Sequence, residues 1–216
     1  MTTIKRRGRP NPLDEDNFQK IFSGEGSEEI LLALINAFKG RSDKARDRYH
    51  TVTHLENEDS NIPSIHIKAE SAGLIGDKNI ELQVLKEEYL EGDFNDYWAK
   101  IMTNSIKGVG DYSVDGRVEK IYFADFDLFD NKRQYGTVFT LNKSGFGSNL
   151  GGGGATFVFY ERPKFEKMSK KKIRAEWTTR DPFLKWLVFL SPSPDPQLLK
   201  EAILLDEDIK KAEERL

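Results

Sequence analysis

Ile65-His66-Ile67-Lys68-Ala69-Glu70 and Asn79-Ile80-Glu81-Leu82-Gln83-Val84, joined by a stretch that contains Gly73 and Gly76, read as the two arms of a hairpin. Each arm alternates apolar and polar side chains, the period of a strand with one face in a core. Ile65, Ile67 and Ala69 share one face of the first arm, and His66, Lys68 and Glu70 share the other. In the second arm Ile80, Leu82 and Val84 take the apolar side, while Glu81 and Gln83 join the polar set. A turn centred near Gly73 and Leu74 sets His66 opposite Glu81, close enough for both side chains to bind one ligand.

Outward from the hairpin, the chain divides into a basic tail over residues 1–11, a domain over 12–190, and a linker with an amphipathic helix over 191–216. Asp14, Glu15 and Asp16 place acid at the start of a helix carrying Phe18, Ile21 and Phe22, where the helix dipole favours it. A Ser-Gly-Glu-Gly turn follows, and a second helix is predicted from about Glu28 to Phe38. The alternating stretch Tyr49 to Leu55 suits an edge strand. After the hairpin, Phe94, Tyr97, Trp98, Ile101, Met102 and Ile106 recur at helical spacing, an apolar stripe for the sheet. Val118 to Phe126 reads as a buried strand, and Val138 to Leu141 and Ala155 to Tyr160 as further strands. A basic cluster on or beside a helix comes next, then a helix opened by Pro182 and ending at Leu190. Gln197 to Leu216 is predicted to be a single amphipathic helix able to pack on the domain or on a partner. Trp98 and Trp186 lie in apolar stripes and read as core anchors. His50 and His54 read as surface residues.

With 216 residues, 38% hydrophobic and 32% charged, the chain is long enough for a core and short enough for one α/β domain. A net charge of −3 confines any nucleic-acid contact to local patches. The apolar run Ile30 to Phe38 is too short to span a bilayer and no secretion signal is apparent, so a cytoplasmic protein without a membrane partner is expected. The absence of cysteine excludes disulfides, zinc-thiolate sites and thiol nucleophiles. Gly151 to Gly154 is not a phosphate loop, because no Lys-Ser or Lys-Thr follows and a strand comes next; no nucleotide cofactor is expected. A loop between two strands accounts for the run.

Phe18-Gln19-Lys20-Ile21-Phe22, Leu31 to Phe38, Ile80-Glu81-Leu82-Gln83, Tyr97-Trp98-Ala99-Lys100, Ile121 to Phe129, Glu161-Arg162-Pro163-Lys164-Phe165 and Asp181 to Leu190 form an ordered series of landmarks. In order and spacing this series resembles the PD-(D/E)XK nuclease superfamily, specifically its recombination-promoting nuclease or putative transposase family. The resemblance implies a restriction-endonuclease-like α/β core, a mixed central β-sheet flanked by α-helices. It also implies a metal-dependent DNA endonuclease using Mg²⁺ or Mn²⁺, with Glu81, Gln83 and His66 as catalytic positions and Glu81 and His66 as metal ligands.

The chain departs from that pattern where it matters. Active members carry an Asp where His66 stands, and an Arg shortly before the Tyr-Trp motif, where this chain has Asp93-Phe94-Asn95-Asp96. Mg²⁺ prefers oxygen ligands in near-octahedral geometry, so an imidazole in place of the carboxylate weakens or removes its binding. Mn²⁺, more tolerant of nitrogen, is the better metal for such a site. Glu70 lies on the right face but about 13 Å along the strand at roughly 3.3 Å per residue.

Arg7-Gly8-Arg9-Pro10, preceded by Lys5 and Arg6, resembles the core of an AT-hook, whose arginines lie in a narrow minor groove. Arg6, Arg7, Arg9, Lys100, Lys170, Lys171 and Lys172 are the candidate DNA contacts, against the plainer readings of a basic tail with no special partner and a solvated helix face. Glu81, on pattern alone, reads as an exposed strand residue paired with Lys68 or Lys78. His66 reads equally as a weak ligand, a hydrogen-bond partner of Glu81 or a position without a role. Three functions stay open: an impaired endonuclease, a catalytically inactive DNA-binding or protein-interaction module, and a decaying transposon-derived frame. A homodimer is compatible with each.

Overall fold

The computed structural model of the chain describes residues 9–39, 48–55, 64–71, 77–89, 96–99, 117–130, 134–141, 155–179 and 181–216. Two helices, α1 (Glu15–Phe22) and α2 (Glu28–Lys39), precede the strands β1 (Thr51–His54), β2 (Ser64–Glu70), β3 (Lys78–Leu85), β4 (Arg117–Ala124), β5 (Gly136–Leu141) and β6 (Ala155–Glu161). Five helices close the chain: α3 (Arg162–Glu166), α4 (Lys170–Thr179), α5 (Phe183–Leu190), α6 (Pro196–Leu205) and α7 (Glu207–Arg215). Residues 96–99 are helical; the other residues of that predicted helix lie outside the described ones.

The strands form one mixed sheet in the order β1-β2-β3-β4-β6-β5. β1, β2 and β3 pair antiparallel as a meander, with the predicted edge strand outermost. β3, β4 and β6 run parallel, and β5 returns antiparallel to β6. The central strands bury apolar side chains on both faces, as is usual for parallel strands, while Glu81, Gln83 and Lys120 put polar groups on one of them. The expected mixed sheet flanked by helices is therefore the observed architecture.

One face carries the main core. Ile65, Ile67, Ile80, Leu82, Val84, Ile121, Phe123, Val158 and Tyr160 meet residues of every long helix there. α5 is apolar almost all round and buried through Phe183, Leu184, Trp186, Leu187, Val188, Phe189 and Leu190, so it runs through this layer rather than over it. Between α1 and α2 the chain turns at Gly26, whose φ of 74° suits a residue without Cβ. The opposite face holds a smaller cluster of Leu85, Tyr122, Ala124, Ala155, Phe157 and Phe159, with Tyr97, Trp98, Phe126, Leu128 and Phe129 packed on it. Trp98 and Trp186 thus anchor opposite faces. His54 is half-buried and lies 3.0 Å from Ser27 Oγ through its Nε2, while His50 is exposed.

The C-terminal segment differs from the single predicted helix. Asp206, in extended backbone at φ −146° and ψ 106°, separates α6 from α7. Its carboxylate accepts from the Ile209 amide at 3.4 Å and from Lys185 Nζ at 2.7 Å, capping α7 and tying the break to α5. A straight helix presents one stripe, whereas the break lets Leu198 and Ala202 of α6 and Ile209 and Ala212 of α7 all enter the main core. The segment packs on the domain.

Candidate functional site

β2 and β3 pair with Ser64 opposite Gln83, His66 opposite Glu81 and Ile67 opposite Ile80. The register expected from a turn near Gly73 and Leu74 is therefore the one observed. His66, Glu81 and Gln83 stand on the face that carries the smaller cluster, away from the main core. His66 Nε2 lies 3.6 Å from Glu81 Oε1 and 3.2 Å from Ser64 Oγ.

The tertiary structure adds a residue that the hairpin alone does not contain. β4 runs parallel beside β3, with Lys120 level with Glu81 and Tyr122 level with Gln83. Lys120 Nζ reaches Glu81 Oε2 at 2.5 Å. This corrects the partner expected from pattern, because Lys68 pairs instead with Glu70 and Asp77, each at 3.0 Å, and Lys78 faces Glu119 at 3.4 Å. Asp77 and Glu70 thus gather on Lys68 rather than beside His66. Asp93 lies outside the described residues.

Beside this trio the site becomes aromatic. Tyr97 Oη donates to Gln83 Oε1 at 3.3 Å, and Gln83 is itself buried. Burial, reinforced by the negative charge of Glu81, pushes the Tyr97 hydroxyl far above its ordinary pKa, and the same causes act on Tyr122. Both tyrosines stay neutral at physiological pH and offer donors and acceptors, not bases. Tyr122 stacks on Phe159 with ring centroids 4.7 Å apart, so this wall of the site is rigid.

Lys120 was legible only in part. A lysine in the mostly apolar stretch Val118 to Phe126 is itself a signal, since burying an unpaired ammonium is costly. Its partner was hidden, because the parallel register of β3 and β4 depends on a crossover that brings residues far apart in sequence together.

These residues do not fit a resident Mg²⁺. Among the described residues Glu81 is the one carboxylate of the cluster, Lys120 binds one of its oxygens, and His66 faces the other at 3.6 Å. Among the described residues no three His, Asp, Glu or Cys side chains gather as a metal-binding group. A hard dication that requires several oxygen ligands finds here one neutralised carboxylate.

Arg6, Arg7 and Lys100 lie outside the described residues. Arg9 is held inside the protein by Glu213 and by the carbonyls of Ser191 and Phe189. Lys170 pairs with Asp195, Lys172 reaches Glu176 at 3.8 Å, and Lys171 is exposed on the same helix. Among the described residues no helix is long and apolar enough to cross a membrane.

The family model described as PD-(D/E)XK nuclease family transposase matches residues 15–216, close to the whole chain. No curated protein and no solved structure gives a significant match. The six-stranded mixed sheet with helices on its faces is consistent with the restriction-endonuclease-like fold of that family.

Proposed function

This chain belongs to the PD-(D/E)XK nuclease family transposases, and from that premise we propose that it acts on DNA as an endonuclease of the transposase or recombination type with an impaired cleavage centre. The observation that carries this reading is the arrangement of His66, Glu81 and Gln83 on one face of β2 and β3, with an imidazole where a second carboxylate belongs. Glu81 and Gln83 hold the positions of the family's second motif, and the neutral hydroxyls of Tyr97 and Tyr122 shield that side from bulk water. The one carboxylate that the described residues bring here falls short of the oxygen-rich cage that phosphodiester hydrolysis by metal ions demands.

A second reading, a nuclease fold that binds DNA without cutting it, is favoured by the contact of Lys120 with Glu81, because that carboxylate already has a cation. Cleavage of supercoiled plasmid separates the two. The impaired-endonuclease reading expects near-background cleavage by the native protein in Mg²⁺, more in Mn²⁺, and a clear gain in His66→Asp that Glu81→Ala removes. Failure of His66→Asp to cleave in either metal, with DNA still bound, replaces it with the binding-module reading.

A further inference from the structure

Resting on the impaired-centre reading above, we infer that Lys120 is the resident cation of the Glu81 site and competes directly with a divalent metal for that carboxylate. A parallel β3–β4 pair aligns Glu81 with Lys120, so the two side chains leave the same face of neighbouring strands. Nζ meets Oε2 at 2.5 Å, and the other carboxylate oxygen faces His66.

Both members of the pair are largely shielded, with side-chain exposures of 21% for Lys120 and 13% for Glu81. Screening by solvent and salt is weak at such depth, and the attraction is correspondingly strong. An ammonium is a compact monovalent charge with three donors, able to satisfy a carboxylate without the oxygen cage that a dication requires. Among the described residues the neighbouring acids are engaged elsewhere: Asp77 and Glu70 hold Lys68, and Glu119 faces Lys78 on the opposite side of the sheet. A divalent ion arriving at Glu81 must therefore displace Lys120 or bind beside its positive charge, and either route costs affinity. Replacement of Asp by His at position 66 and neutralisation of Glu81 by Lys120 act in the same direction. Metal affinity at this site is consequently set by a residue of β4 as well as by the hairpin.

The test is Mn²⁺ binding to the full-length protein without DNA, followed by the electron paramagnetic resonance of free Mn²⁺. Lys120→Met keeps length and removes charge, and it should tighten Mn²⁺ by about tenfold or more, as removal of a like charge a few ångströms away dictates. Lys120→Arg keeps the charge and should bind as the native protein does. Combining Lys120→Met with Glu81→Gln should abolish the gain, which assigns it to this carboxylate. Equal, weaker or undetectable Mn²⁺ binding in Lys120→Met overturns the inference, as does a gain that survives Glu81→Gln. A misfolded variant cannot mimic a Glu81-dependent gain. Plasmid cleavage by His66→Asp decides the underlying nuclease reading separately: its failure alongside tighter Mn²⁺ in Lys120→Met leaves the competition standing and removes the enzyme.

Discussion

Arg9 and Glu213 join the start of the fold to its last helix, with Nη2 2.7 Å from Oε2 and Nε 3.0 Å from both carboxylate oxygens. The same guanidinium donates to the carbonyls of Ser191 and Phe189 at 3.0 and 2.8 Å and lies 5.2 Å over the Phe189 ring. Its planar fork is matched to this set of acceptors in a way that an ammonium is not. A side chain so engaged reaches a minor groove only by releasing α7 and the end of α5.

Arg9→Ala should cost about 2–3 kcal/mol of stability, the range for losing charge-assisted hydrogen bonds in a part-buried place. Arg9→Lys should recover only part of it. Urea unfolding checks this. Weaker DNA binding by Arg9→Ala with unaltered stability would reassign the residue to nucleic acid.

Glu161 and Lys164 form a second clamp, fully inside the protein. The carboxylate accepts from the amides of Leu128 and Phe129 at 2.6 and 2.9 Å and pairs with Lys164 Nζ at 2.7 Å, while Lys164 also donates to the Phe129 carbonyl. This holds the segment after β4 on the site face of the sheet. Lys164→Met should destabilise by about 3–5 kcal/mol, because it strands a buried carboxylate. Adding Glu161→Gln should restore part of that loss, and a double-mutant cycle by thermal melting measures the coupling. Purely additive losses would show that the pair is not coupled.

Asp125, just past β4, has its carboxyl held above the ordinary aspartate range by burial, against the opposing pull of Arg162. A pKa higher in the folded than in the unfolded state means that the folded protein binds the proton more tightly. Stability from this group is then full below its unfolded pKa and declines as pH rises through the raised value. Asp125→Asn should raise the melting temperature at neutral pH and leave it unchanged well below the usual carboxylate range. A neutral-pH melting temperature that falls would mean that contacts of the charged form outweigh its burial.

Lys171 is exposed on α4, whereas its neighbours Lys170 and Lys172 face Asp195 and Glu176. If this helix tracks a phosphate backbone, Lys171→Ala should weaken DNA binding at low salt and reduce the slope of log affinity against log salt by about one. An unchanged slope assigns the cluster to solvent. Lys171→Arg, which keeps the charge, should bind as the native protein does.

Much of the fold was legible because its signals are local. The alternation in Ile65–Glu70 and Asn79–Val84 specified two strands and, with a turn near Gly73, the pairing of His66 with Glu81. The apolar runs over 118–126 and 155–160 became central strands, and Pro182 preceded α5 as its position suggests. The helix break at Asp206 was not legible, because it is set by Lys185 on another helix and by the room that the core leaves for Ile209 and Ala212.

The sequence by itself specified the hairpin and the shared face on which His66, Glu81 and Gln83 stand. Only the tertiary structure decided what Glu81 touches. Alternation specifies the face on which a side chain stands, but its neighbour across a parallel pair depends on a crossover whose register no local period encodes. Lys120 and Glu81 are 39 positions apart in the chain and 2.5 Å apart in space. The same physical reason separates Arg9 from Glu213: charge pairing acts over ångströms, and only the packed chain sets those distances.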